Sequence, residues 1–367
     1  MKEARRGDQR RMIVIGLSLA ITATTFAVLL PRIAGYGAVW HVVSRLSWPW
    51  LAGLGAATAL NILTFPLPWI VVLPRLPYLR ALLVTQISTA LTLILPGGVP
   101  VGMAASVAML RSVGFRPAEV GRAVATTGLW NQLSTFLFPI VAAGWLAVDG
   151  AGSQSVLTIA LIGVGLFVVA AATVGAIAAR PDIAATVGQS GLRLISRLSI
   201  IRHRTSSPWS DSSLVRFRNE TIGLLRKRWA ALTLTTAVNQ LTGWAILVLA
   251  IRAVGIGSAQ VSVGESFAAW SVGRLLASLP LTPGGIGFVE LGLTATLAAF
   301  GGNRAQVVAG VLVYRFLSIV PVLAVAAVGG LVWDRRRAPQ QFGAGDLTDA
   351  SSTASGEAAI VTRKDPG

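Results

Sequence analysis

The chain has 367 residues, 54% hydrophobic and 12% charged, with mean hydropathy +0.70; soluble domains run about 45–50% apolar and about 25% charged, so this is an integral membrane protein. Its net charge of +17 does not mark a nucleic-acid partner, because the basic residues fall between and beside apolar segments, where they act as topology signals and as contacts to anionic lipid. The absence of cysteine excludes disulfides, thiolate metal sites, a cysteine nucleophile and a lipidated N-terminal cysteine.

Residues 1–11 form a basic start with Lys2, Arg5, Arg6, Arg10 and Arg11. The apolar run 12–30 that follows is long and lacks an A-x-A cleavage site, so it reads as a retained span rather than a signal peptide. Next come apolar runs at 51–73, 81–95, 99–110, 124–148 and 156–179, then a basic loop at 180–228, then runs at 229–254, 267–281, 286–300 and 306–333. The tail, 334–367, is rich in small and polar residues and is expected to be disordered.

Four of these runs are too short for a span of about 20 residues. They are the arms flanking Pro96-Gly97-Gly98 and Pro283-Gly284-Gly285. Proline and paired glycines break helices, and hydrocarbon tolerates the freed peptide groups only where they are packed in protein or line a wet cavity. The two surroundings, residues 94–114 and 281–301, align without a gap from the first proline to the last glycine, as a duplication would.

Basic residues convert the runs into a topology. The N-terminus, Arg75, Arg80, Arg111, Arg116, Arg122, the loop 180–228 and Arg335-Arg336-Arg337 read as cytoplasmic, while the other loops hold only Arg32, Arg45 and Arg304. These charges are satisfied if hairpin 81–110 enters from the cytoplasm and returns to it, and hairpin 267–300 enters from outside and returns there. The expected fold is all-α: an inverted repeat with six full spans and two opposed re-entrant helical hairpins, both termini cytoplasmic, halves at 12–179 and 229–333, in the plasma membrane. In the alternative the short arms cross as thin spans, giving ten crossings with each Pro-Gly-Gly as a turn at the membrane surface.

The segment SLPLTPGGIGFVELGL (278–293) followed by VLVYRFLSIVPVL (311–323), with LPGGVPVG (95–102) as its first-half counterpart, resembles the flippase-like family that includes the transmembrane domain of lysylphosphatidylglycerol synthases, over residues 12–333. The resemblance implies movement of lipid between leaflets. In relatives that carry a synthase, aminoacyl transfer belongs to a separate soluble domain; none follows the last span here, so that activity is not implied.

Glu290 is the only acid well inside an apolar run, and a charge at mid-bilayer costs about 2.5–3.5 kcal/mol on insertion scales. Arg315, at a matching depth in the last span, is its expected partner. Arg274 then gives the cluster a charge of +1 and leaves a guanidinium for a lipid phosphate. The plainer alternative is a purely structural Glu290–Arg315 pair with Arg274 snorkelling to the outer interface. Gly284, Gly285 and Gly287 offer peptide N–H groups at a hairpin tip and a helix N-terminus behind it, a phosphate cradle; alternatively they only let the tip turn and pack.

Gly97, Gly98, Asn131, Gln132, Asn239, Gln240 and Tyr314 are candidate lining, although amides in spans more often join helices. Trp40, Trp48, Trp50, Trp145, Trp229 and Trp333 fit an interfacial belt. Stretches 183–201 and 214–229 read as basic amphipathic segments lying on anionic headgroups.

His41 and His203 both fall in loops, and there is no phosphate-loop motif, so a histidine-dependent hydrolase, a histidine metal site and an ATP motor all lack their parts. The enzyme rival is a membrane glycosyltransferase using a polyprenyl-phosphate sugar; residues 31–49 hold no acid to serve it, but Glu265 is available. The expected function is translocation of an anionic phospholipid or polyprenyl-phosphate-linked glycolipid, without a cofactor. An accessory subunit presenting lipid to a partner enzyme, or a homo-oligomer, stays open.

Overall fold

The computed structural model describes residues 44, 46–95, 98–150, 164–165, 167–169, 172, 211–279 and 283–335. The expected span 12–30, nearly all of 156–179, the stretch 183–201, Pro96, Gly97, Trp40 and the tail from 336 lie outside the described residues. All regular structure among the described residues is helical.

The elements are α1 (Trp48–Thr64), α2 (Leu67–Val72), α3 (Tyr78–Ile94), α4 (Gly98–Ser112), α5 (Pro117–Val148), α6 (Asp211–Ala253), α7 (Val263–Ser278), a short turn at Pro283–Gly285, α8 (Phe288–Ala299) and α9 (Arg304–Arg335). Four stretches are long and apolar enough to cross a membrane: Trp48–Val72, Pro117–Val148, Asn219–Ala253 and Arg304–Leu331. The protein is therefore a multi-pass, all-helical membrane protein with shorter apolar helices beside its spans.

One expected boundary falls inside a helix. Residues 214–229 are continuous with the following span in α6, which runs for 43 residues, about 64 Å at helical rise. The stretch is thus helical and continuous with the span. Its polar side bonds along the bundle: Arg122 pairs with Glu220, and Arg228 Nη1 donates to the Val71 carbonyl at 2.9 Å.

Both helical pairs around the Pro-Gly-Gly breaks are antiparallel hairpins held by glycine. Added Cβ atoms at Gly98 and Gly102 of α4 would run into the Thr92 backbone, the Thr92 hydroxyl and the Ser88 carbonyl of α3, so only glycine permits this approach. In the second hairpin Gly273 of α7 faces Leu293 of α8, and Gly292 of α8 faces Leu276 of α7.

The hairpins have their bases at opposite ends of α5, a helix of 32 residues or about 48 Å. Just before α3, Arg75 pairs with Glu119 in the first turn of α5 at 2.7 Å. At the other end, a Cβ on Gly264, the second residue of α7, would lie 3.3 Å from Trp145 and 3.4 Å from Asp149 Oδ2. The tips meet: a Cβ on Gly284 would lie 2.9 Å from Leu93 Cδ2 and 3.3 Å from the Leu93 carbonyl oxygen.

An aromatic cluster joins α5, α6 and α7. Phe138 and Trp270 are 5.2 Å apart by ring centroid, Trp244 and Phe267 5.2 Å, and Trp145 stands 6.1 Å from Phe267. Trp145 therefore packs inward on this cluster rather than serving only as belt, whereas Trp48 and Trp229 are 78% and 59% exposed, as a belt position requires. Arg252 ties the next loop to α6, donating to the carbonyls of Ile256 and Val261 at 2.8 and 2.7 Å.

Candidate functional site

Glu290 and Arg315 form the expected pair. Arg315 Nε donates to Glu290 Oε1 at 2.5 Å, and both side chains are about nine-tenths buried. The pair is built into the hairpin tip. Glu290 Oε2 accepts from the Gly287 N–H at 2.6 Å, which satisfies a free peptide donor at the start of α8, and Arg315 Nη2 donates to the Gly284 carbonyl at 3.0 Å. Gly284, Gly285 and Gly287 have φ of 60°, 67° and 90°, all left-handed, as a turn this tight between two helices requires. One arginine of α9 thus holds both the carboxylate and the backbone of the second tip.

Between the tips and the long helices lies a cavity of about 520 Å³ to which all nine helices α1 to α9 contribute, α4 through Val99 and α8 through Val289 and Leu293. Arg274, Gly284, Arg315 and Tyr314 line it, and so do Asn131, Gln132, Asn239 and Gln240. Glu290, Gly285, Gly287 and Gly98 are not in its wall: the first three shape the second tip, and Gly98 is closed against α3. Gly97 lies outside the described residues.

Arg274 does not snorkel. Its guanidinium carbon sits 6.0 Å from the Trp270 ring centroid, within cation–π range, and its Nε is buried without a hydrogen-bond partner among the described residues. A buried donor without an acceptor is costly, and this one belongs to a cation on the wall of a cavity that polar and apolar side chains share. Two further buried polar atoms of wall residues lack partners among the described residues: Trp270 Nε1 and Thr236 Oγ1.

The amides divide between the roles foreseen for them. Asn61 Nδ2 donates to the Asn239 carbonyl and to Thr242 Oγ1, and Asn239 Nδ2 reaches back to Thr64 Oγ1 at 3.2 Å, so these two join α1 to α6. Gln240 Nε2 donates to Asn131 Oδ1 at 2.6 Å, linking the two Asn-Gln pairs across α5 and α6 while both residues stay in the cavity wall. Glu265, the acid available to an enzyme, caps α7: its Oε2 accepts from the Ser262 N–H at 2.7 Å and its own N–H donates to Ser262 Oγ.

Trp270 and Trp69 are wall residues that the sequence reading passed over. For Trp270 the signal was present: it stands four residues before Arg274, on the same face of one helix. No curated protein matches the sequence. The family model described as the lysylphosphatidylglycerol synthase TM region matches residues 13–326, and the chain belongs to that family.

Proposed function

We propose that this protein moves an anionic lipid between leaflets, with the headgroup passing through the cavity while the acyl or prenyl tails remain in the bilayer. The observation that carries the reading is the guanidinium of Arg274, with no ion-pair partner among the described residues, in the wall of a cavity of about 520 Å³ that amides and a second arginine also line, inside an apolar helical bundle. A charge held there without a counter-ion is expensive, and a lipid phosphate is the anion a membrane supplies.

In this reading α3–α4 and α7–α8 are re-entrant hairpins from opposite faces, halves of an inverted repeat whose rocking changes which leaflet reaches the cavity. Ten crossings would put the two Pro-Gly-Gly breaks on opposite surfaces, separated by a hydrocarbon core of about 30 Å. The contact between Gly284 and Leu93 favours tips that meet inside the membrane. The engagement of Glu265 in capping α7 speaks against its use as a glycosyltransferase base. Location in the plasma membrane with both termini cytoplasmic completes the proposal.

The test is the purified protein in liposomes carrying labelled phosphatidylglycerol. Faster exchange between leaflets with no covalent change to the lipid is the expected result. Sugar transfer from a polyprenyl-phosphate sugar, lost in Glu265→Gln, would replace this reading with the enzyme. Exchange only when a partner enzyme is added would assign the accessory role.

A further inference from the structure

The cavity wall has a charge inventory that restricts its ligand further than "anionic". Arg274 and Arg315 line it, and among the described residues no aspartate or glutamate does. The acid bonded to the wall, Glu290, faces the tip and has both oxygens occupied, one by Arg315 Nε and the other by the Gly287 N–H. Arg315 is therefore compensated, and among the described residues Arg274 has no counter-ion and no free carboxylate stands in the wall to receive an ammonium group.

Aromatic faces could bind an ammonium instead, but Trp270 already carries a guanidinium, and Phe65, Trp69 and Tyr314 share a wall whose described charges are both positive. The Trp270 ring has the Arg274 guanidinium 6.0 Å from its centroid, and a second cation beside it would meet like charge. What remains is neutral: apolar side chains, and for hydrogen bonding the amides of Asn131, Gln132 and Gln240. The volume, about 520 Å³, is that of about 17 waters, more than a lone phosphate needs.

We infer that the cavity takes a phosphate ester joined to an uncharged, hydroxyl-bearing group, a polyol or a sugar, and rejects headgroups that also carry an amine. The phosphate lies on Arg274, and the hydroxyls meet the amides of α5 and α6. This rests on reading the cavity as a headgroup site. It sets the substrate of this chain apart from the lysine-bearing lipid for which its family is named.

Binding rather than transport tests it, so the two readings fail separately. The full-length protein in detergent is titrated, by thermal shift and native mass spectrometry, with phosphatidylglycerol, lysylphosphatidylglycerol, phosphatidylethanolamine and soluble glycerol phosphate. Phosphatidylglycerol is expected to bind at least about tenfold more tightly than either amine-bearing lipid. Arg274→Gln removes that preference and weakens phosphatidylglycerol binding by about tenfold or more, while Arg274→Lys keeps part of both. If Arg274→Gln does not fold, the wild-type and Arg274→Lys ratios decide.

Equal or tighter binding of lysylphosphatidylglycerol, or unchanged phosphatidylglycerol binding in a folded Arg274→Gln, overturns the inference. Glycerol phosphate binding as tightly as the lipid would keep the headgroup chemistry and overturn the lipid source. Selective binding without movement between leaflets would sink the translocator alone.

Discussion

Glu290 and Arg315 illustrate how one buried ion pair serves both fold and site. Removing either partner strands the other in a nearly dry place, a loss of about 3–5 kcal/mol, and also releases the Gly284 carbonyl or the Gly287 N–H that the pair holds. Glu290→Gln and Arg315→Leu singly are therefore expected to lower the melting temperature and the amount of folded protein in the membrane. The double variant restores neutrality and should recover most of the protein level, but less of the transport, because Arg315 belongs to the cavity wall and Glu290 does not. Arg274→Gln predicts the opposite pattern. It relieves a buried charge that has no partner among the described residues, so abundance stays near normal while phosphatidylglycerol exchange falls about tenfold or more, a charge-assisted hydrogen bond being worth about 1.5–3 kcal/mol. Detergent melting curves read beside liposome exchange at matched protein levels separate the two patterns.

At the scale of elements, the hairpins depend on glycine for a steric reason. Gly102→Ala places a methyl against the Thr92 hydroxyl and the Ser88 carbonyl, and α3 and α4 must part or bend to admit it. A cost of about 1–3 kcal/mol is expected, as for other overpacked interfaces. Gly53→Ala in α1 meets nothing within 4 Å, so it should be neutral or slightly stabilising through helix propensity alone. Thermal unfolding of the two variants side by side checks the contrast. These hairpins were legible beforehand because their signals are local: arms expected at 81–95, 99–110, 267–281 and 286–300 lie within four residues at each end of Tyr78–Ile94, Gly98–Ser112, Val263–Ser278 and Phe288–Ala299. Glu290's need of a partner was equally readable, since an acid in an apolar run must be compensated, and Arg315 is that partner. Contacts between distant segments were not. Nothing near Asn131 announces Gln240, and Trp145 looks like a belt residue until Phe267 and Trp244 are placed beside it. The continuity of residues 214–229 with the next span was not legible, because an amphipathic stretch has the same periodicity whether it lies on a membrane or continues a span.

At the scale of the whole molecule, the proposal turns on depth. Tips that touch, on hairpins whose bases sit at opposite ends of a helix about 48 Å long, are what the proposal needs to put both breaks near the middle of the membrane. Single cysteines report this without background because the chain has none. The tip glycines are poor hosts, since Gly98 and Gly284 lack room for a side chain. Their neighbours Val99 and Phe288 are 52% and 42% exposed and accept the change. Ser112→Cys is the cytoplasmic reference. Asn303 caps α9 through its Oδ1 and the Ala305 N–H, so Arg304→Cys, exposed beside it, is the external reference. With a membrane-impermeant thiol reagent, Val99→Cys and Phe288→Cys are expected to react at least about tenfold more slowly than their references from either side, because the hydrocarbon core of about 30 Å, and for Val99 the narrow cavity that it lines, keep the reagent from reaching mid-depth at a surface rate. Reaction of Val99→Cys from outside and of Phe288→Cys from the cytoplasm, each at the rate of its surface reference, would instead place the breaks on opposite surfaces. The cavity would then lose the meeting of tips that makes it a passage between leaflets.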